Sequence, residues 1–279
     1  MTGIEMTSRS TVTDPTDGRI SPPTTESSIQ APQNKMKAYL PCNVLYVFQK
    51  LLAASMFLFL LIWVFGHAGG IGWRSEPQFE FNLHPMAMSF GLVFLNGEAI
   101  TVYRGARNSP KTKTKLIHMV LQLAAGILSI FGLVFAFDSH NFANPPIPNL
   151  YSLHSWMGIL TVALFVGQWI AGFFVYWLPY ASPGFKKRIM PIHRFSGIAN
   201  FTLVLVSAMM GYSEKAAWLS TKAAPPHSTT LTLANLFGLS MALYGVTVLL
   251  VVTNPSWIRQ PLPNEVMVPL TQQDRDHDE

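Results

Sequence analysis

Six long apolar segments divide the chain, near residues 45–68, 84–104, 116–137, 151–178, 195–213 and 230–253. A hydrocarbon layer about 30 Å thick is crossed by roughly 20 apolar helical residues, and each segment approaches or exceeds that length. Backbone groups in hydrocarbon must find partners within the protein, which leaves helices or a closed barrel. A barrel would show as short alternating strands, and the segments instead mix glycine and aromatics in long runs. Only 12% of the residues are charged, about half of the roughly 25% usual in soluble domains. The sequence predicts an all-α integral membrane protein with six transmembrane helices. Residues 1–40 read as a disordered polar tail rich in Ser, Thr and Pro, 41–254 as the membrane domain, and 255–279 as a second polar tail. The first tail has no apolar run of the signal-peptide kind, so no cleavage is expected there.

The loops carry the orientation. Arg104, Arg107, Lys111, Lys113 and Lys115 lie between the second and third segments with no acid among them, and Lys186, Lys187, Arg188 and Arg194 lie between the fourth and fifth, again without an acid. The opposite loops hold Arg74, Glu76, Glu80, Asp138, Glu214, Lys215 and Lys222, which nearly balance. Basic loops stay in the cytosol, so both tails are expected to be cytosolic. An even number of spans requires the same. The basic residues are therefore read as membrane topology signals, the implied surroundings are lipid, and no nucleic-acid partner is expected.

Four of the eight histidines fall just inside helices: His84, His118, His154 and His193. The orientation puts His84 and His154 at the non-cytosolic depth and His118 and His193 at the cytosolic depth. Two imidazoles facing each other make a poor structural zinc site, which takes four protein ligands. They suit a haem iron, whose remaining four ligands come from the porphyrin. Gly158 and Gly197 follow His154 and His193 by one helical turn, while Gly91, Ala125 and Gly126 lie near His84 and His118, so small residues could leave room for a flat macrocycle. Cys42 is the sole cysteine, so any haem must be held without covalent attachment. Ligands one turn inside each face would put the two irons roughly 20 Å apart in depth, at 1.5 Å per residue. Glu98 lies fourteen residues beyond His84 and is expected on nearly the same helical face; an acid at that depth is a functional candidate.

The stretches "FNLHPMAMSFGLVFLNGEAITVYR", "KTKTKLIHMVLQLAAGILSIFGLVFAF", "SHN", "IPNLYSLHSWMG" and "PIHRFSG" resemble the cytochrome b561 family of ascorbate-dependent transmembrane electron-transfer proteins. The resemblance implies a central four-helix bundle holding two non-covalent haems b, with His84 and His154 as one ligand pair and His118 and His193 as the other. It implies cytosolic ascorbate as donor, bound by Lys111 and Lys115 with help from a basic residue among Lys186, Lys187 and Arg188. It implies monodehydroascorbate or a ferric chelate as acceptor, guided by His140, with no catalytic side chain beyond the haems. The family is often dimeric, so a homodimer is expected. The same topology serves endomembranes (vesicle, lysosome or vacuole) and the plasma membrane. Two other classes fit the bare residue pattern: a transporter passing protons or divalent metal through intramembrane His and Glu, and a structural scaffold.

Overall fold

The computed structural model describes residues 25–222, 225 and 227–266. Two units divide the chain, Met1–Ala38 and Tyr39–Glu279. In the first, residues 25–38 are helical backbone, where the sequence suggested a disordered tail; residues 1–24 of that tail, and residues 267–279 of the second tail, lie outside the described residues.

The second unit holds six helices long and apolar enough to cross a membrane: Pro41–His67, Pro77–Gly105, Lys111–Asn141, Leu153–Trp177, Pro183–Ser220 and Thr229–Thr253. The chain is a multi-pass all-α membrane protein. The first span belongs to α1 (Thr25–His67). The second is built from α2 (Pro77–Glu80), α3 (Leu83–Met88), a wide π-helical stretch (Ser89–Leu95) and α4 (Asn96–Gly105). The others are α5 (Lys111–Asn141), α6 (Leu153–Gly172) with a π-helical end (Phe173–Trp177), α7 (Pro183–Lys222) and α8 (Thr229–Thr253). A 3-10 turn (Pro255–Trp257) and the short α9 (Pro263–Val266) follow. Helix α5 packs along α3 and α4, α6 along α7, and α7 along α8. The buried core joins Met56, Leu60, Val93, Phe201, Tyr244 and Val248.

Local signals set the helix starts. Ser152 caps α6: its Oγ accepts from Ser155 N at 3.3 Å, and Ser155 Oγ accepts from Ser152 N at 3.2 Å. This reciprocal box satisfies two orphan donors and begins the helix just before His154. Ser228 caps α8 by accepting from Leu231 N at 3.4 Å.

Several helices outrun their apolar segments. Helix α7 begins at Pro183, so Lys186, Lys187 and Arg188, expected in a loop, occupy its first turns, and His193 lies well inside it. Pro at the first helical position costs no hydrogen bond, and Pro191 is carried inside the helix. Helix α5 likewise continues to Asn141, which places His140 in its last turn. Hydropathy marks where hydrocarbon ends; the backbone hydrogen-bond ladder continues into the polar boundary.

The segment after α8 is pinned to the start of α5. Glu265 Oε1 accepts from Lys111 N at 2.7 Å and from Arg259 Nη2 at 2.8 Å. Its Oε2 accepts from Arg259 Nη1 at 2.9 Å and from Leu262 N at 3.0 Å. Arg259 Nη2 also donates to the Ser109 carbonyl at 2.9 Å. A carboxylate at a helix N-terminus is favoured by the free N–H groups there. The Arg259 guanidinium, helped by the Leu262 and Lys111 N–H groups, holds the Glu265 carboxyl down to about 2. An acid depressed in the fold stabilises it fully above its unfolded value of about 4.3 and loses that contribution as pH falls through the folded value. The tether is therefore closed at neutral pH. Glu265→Gln should accelerate amide exchange at Lys111 and Leu262 by on the order of tenfold at pH 7, since a charge-assisted bond is replaced by a neutral one; unchanged exchange would show that the ion pair does not hold the segment.

Candidate functional site

The folded spans bring the four membrane histidines together in two pairs. His84 faces His154, with ring centroids 6.1 Å apart and planes at 78°. His118 faces His193, with centroids 6.3 Å apart and planes at 72°. His118 and Gly132, the residue that receives the His84 bond, both lie on α5, fourteen residues apart. At 1.5 Å per residue the two pairs are separated by about 21 Å along that helix.

Three of the rings are held by backbone carbonyls. His84 Nδ1 lies 2.8 Å from Gly132 O, His118 Nδ1 2.7 Å from Ala99 O and His154 Nδ1 2.9 Å from Ser207 O. A carbonyl only accepts, so each Nδ1 must carry the proton. In a neutral ring that leaves Nε2 with a bare lone pair, the form that binds metal, and such a bond fixes the ring orientation. A metal held between two imidazole nitrogens, at bonds of about 2.0–2.1 Å each, would set the two ring centres about 6.3 Å apart. Both observed separations match that value. His193 is held differently: its carbonyl accepts from Gln168 Nε2 at 3.1 Å, and its ring packs edge-on to Tyr176 at 5.1 Å.

Space and orphan groups are consistent with a bound macrocycle. A cavity beside the His84–His154 pair is lined by His84, His154, Gly158, Trp63, Tyr151 and Lys215, among others. Among the described residues, the buried Trp63 Nε1 donor finds no partner, nor does the buried Tyr176 hydroxyl beside the other pair. Gly158 opens toward this cavity, since a Cβ there would meet only Ser207 Oγ, at 3.5 Å. The other expected small residues do different work. A Cβ on Gly91 would lie 2.9 Å from Leu128 Cβ, and one on Gly197 would lie 3.0 Å from Gln168 Nε2; these glycines permit close helix contact. Gly211 is a residue the sequence did not single out. A Cβ there would lie 2.6 Å from His154 Cε1 and 2.8 Å from Nε2, so the absent side chain makes the seat of the imidazole. Only the fold brings residues 154 and 211 together, and nothing in the local sequence marks it.

Among the described residues, no three of His, Cys, Asp or Glu converge as a set able to hold a metal. Two histidines per site therefore need the remaining ligands from elsewhere, which a porphyrin supplies.

The basic residues converge in part. Lys115 feels the nearby charges of Lys186 and Lys111, and its ammonium lies 5.4 Å from the Trp177 ring centroid. Among the cations opening α7, Lys186 acts on Lys115 through charge, while Lys187 and Arg188 are exposed on that helix. At the other end His140 is partnered: Nδ1 lies 3.2 Å from Asn149 Oδ1, and the ring packs on Tyr151 with centroids 6.3 Å apart.

Glu98 departs from the face expected for it. His84 points toward α5 and α6, whereas Glu98 meets Tyr46, Gln49 and Lys50 of α1 and Tyr244 of α8. The π-helical stretch between them (Ser89–Leu95) takes more residues per turn than an α-helix. It therefore rotates the register away from the 3.6-residue count.

Comparison with known proteins agrees with this architecture. Residues 83–219 match the family described as eukaryotic cytochrome b561. The chain is 39% identical over 219 residues to the pig transmembrane ascorbate-dependent reductase CYB561, covering 78% of this chain and 84% of that protein. It is 37% identical over 236 residues to the Xenopus tropicalis plasma membrane ascorbate-dependent reductase CYBRD1, covering 83% and 81%. Over 211 residues it is 37% identical to the maize ascorbate-specific transmembrane electron transporter 1, covering 75% and 89%. With six spans, two facing histidine pairs and these relatives, the chain belongs to the cytochrome b561 family.

Proposed function

We propose that this protein is a transmembrane oxidoreductase that passes electrons from ascorbate through two non-covalent haems b, one between His84 and His154 and one between His118 and His193. The carrying observation is the pair of imidazole separations, 6.1 and 6.3 Å, with Nδ1 tied to a carbonyl in three of the four rings. When bound, the irons supply one-electron carriers at two depths. The chain's own contribution is to hold the four imidazoles in place, with Nδ1 of His84, His118 and His154 tied to carbonyls so that Nε2 is left for iron. The reading accords with the names of relatives described as ascorbate-dependent reductases and as an ascorbate-specific electron transporter.

The charge of the loops favours a cytosolic position for the tails and for the His118–His193 pair. Ascorbate is an anion, and Lys111, Lys115 and Lys186 supply the positive field that draws it to this end, with Lys187 and Arg188 adding to it. On the far side His140, near the His84–His154 cavity, is a docking group for monodehydroascorbate or a ferric chelate. A homodimer and either an endomembrane or the plasma membrane are compatible with this topology. The transporter reading is weaker, because Glu98 is already occupied by an ion pair and three neutral groups and does not open onto the histidines.

The purified protein tests this directly. Ascorbate should produce sharp ferrous bis-imidazole bands from two haems per chain; a colourless protein carrying stoichiometric zinc would overturn the reading. Lys115→Glu should raise the ascorbate KM by about tenfold, equivalent to about 1.4 kcal/mol, with less effect at high salt because exposed charges are screened. An unchanged KM would remove Lys115 from the donor site.

A further inference from the structure

The ligand arrangement leaves one charged cluster without a role. Glu98, inside the second span, is approached by Gln49 Nε2 at 3.1 Å and Tyr244 Oη at 3.2 Å on Oε1, by Tyr46 Oη at 3.5 Å on Oε2, and by the ammonium of Lys50 in an ion pair. Tyr244 is fully buried and shares its hydroxyl with the Phe94 carbonyl at 3.1 Å. Its approach requires glycine at 97, where a Cβ would lie 2.5 Å from the hydroxyl oxygen. Side chains from α1 and α8 thus converge on one carboxylate. Helix adhesion alone does not call for charge, because apolar residues of similar volume often replace such pairs without loss of stability.

The position of the cluster suggests its use. Glu98 precedes Ala99, whose carbonyl lies 2.7 Å from His118 Nδ1. One side of this helix holds the proposed ligand ring, and the adjoining side holds the charge pair. The side chain of Glu98 is 12% exposed and that of Lys50 39%, so the carboxylate is the more enclosed and less screened charge.

We propose that the Glu98–Lys50 pair is a fixed electrostatic bias on the His118–His193 haem, lowering its reduction potential through the carboxylate and moderating that effect through the ammonium. This rests on the proposed ligation by His118. A negative charge near the iron favours the ferric state and a positive charge favours the ferrous state, with the effect falling off with distance. The pair therefore sets the potential at which this haem takes an electron from the donor.

Optical redox titration of the full-length holoprotein tests the idea without relying on turnover. Glu98→Gln should raise the potential of one haem component, and Lys50→Met should lower that same component. Glu98→Asp should stay near the wild type. The shifting component should be the one missing from His118→Ala, and the other should not move. No shift, a shift confined to the other haem, or shifts of the same sign in Glu98→Gln and Lys50→Met would overturn the proposal, the last because a packing defect has no charge sign. Failure of the haem reading would look different: no haem bands in the wild type, or both components surviving in His118→Ala.

Discussion

His154→Ala is expected to lose one of the two haems and keep the other. The wild-type ring is seated by the Ser207 carbonyl at 2.9 Å and faces His84 across 6.1 Å. Alanine removes one of the two imidazoles proposed to hold this haem. The His118–His193 pair is about 21 Å further along α5 at 1.5 Å per residue, with its own carbonyl anchor at Ala99. That site should therefore keep its spectrum and its reduction by ascorbate, while transfer to an acceptor sealed on the far side is lost. Haem content per chain, read from the visible bands, checks the first half, and reduction of an acceptor loaded into sealed vesicles checks the second. Survival of both haems would show that the ligands are wrongly assigned.

Gly211→Val should reproduce that loss without touching a ligand. Its Cβ alone would sit 2.6 Å from His154 Cε1. Neither α6 nor α7 can retreat freely, because they pack along each other. The added bulk must therefore turn the imidazole off its Ser207 anchor or part the helices, and overpacking of this kind costs about 1–3 kcal/mol. The expected result is a folded protein short of the same haem as His154→Ala. Gly167→Ala is the matched control, since a Cβ there has nothing within 4 Å, and it should retain both haems. If Gly211→Val bound haem like the wild type, Gly211 would not be the seat of the ring.

The proposed donor end shows how partial the sequence signal can be. Lys111 and Lys115 are one helical turn apart and lie on α5, which spacing alone allows. The choice among Lys186, Lys187 and Arg188 depends on the phase of α7, and that phase follows from a helix starting at Pro183. Hydropathy says nothing about it. Glu98 shows the same limit. A 3.6-residue count places it on nearly the same face as His84, four turns along, but seven π-helical residues, Ser89–Leu95, turn it toward α1 and α8.

What the sequence determined by itself were quantities carried by composition along the chain. Apolar length set six spans, since solvent-free backbone requires helices of that length. The depth of each histidine within its span was enough to sort four residues into two pairs, and the structure brings those same pairs face to face. The tertiary structure decided what depends on rotation about a helix axis and on approach between distant segments: the seating of His154 on Gly211, the electrostatic coupling of Lys186 to Lys115, the tether of Glu265 to Lys111, and the side of the second span on which Glu98 falls. Depth accumulates regularly with residue number, so it can be counted. Helical phase is shifted by each π turn and extended helix end, and those are settled by packing against neighbours far away in the chain.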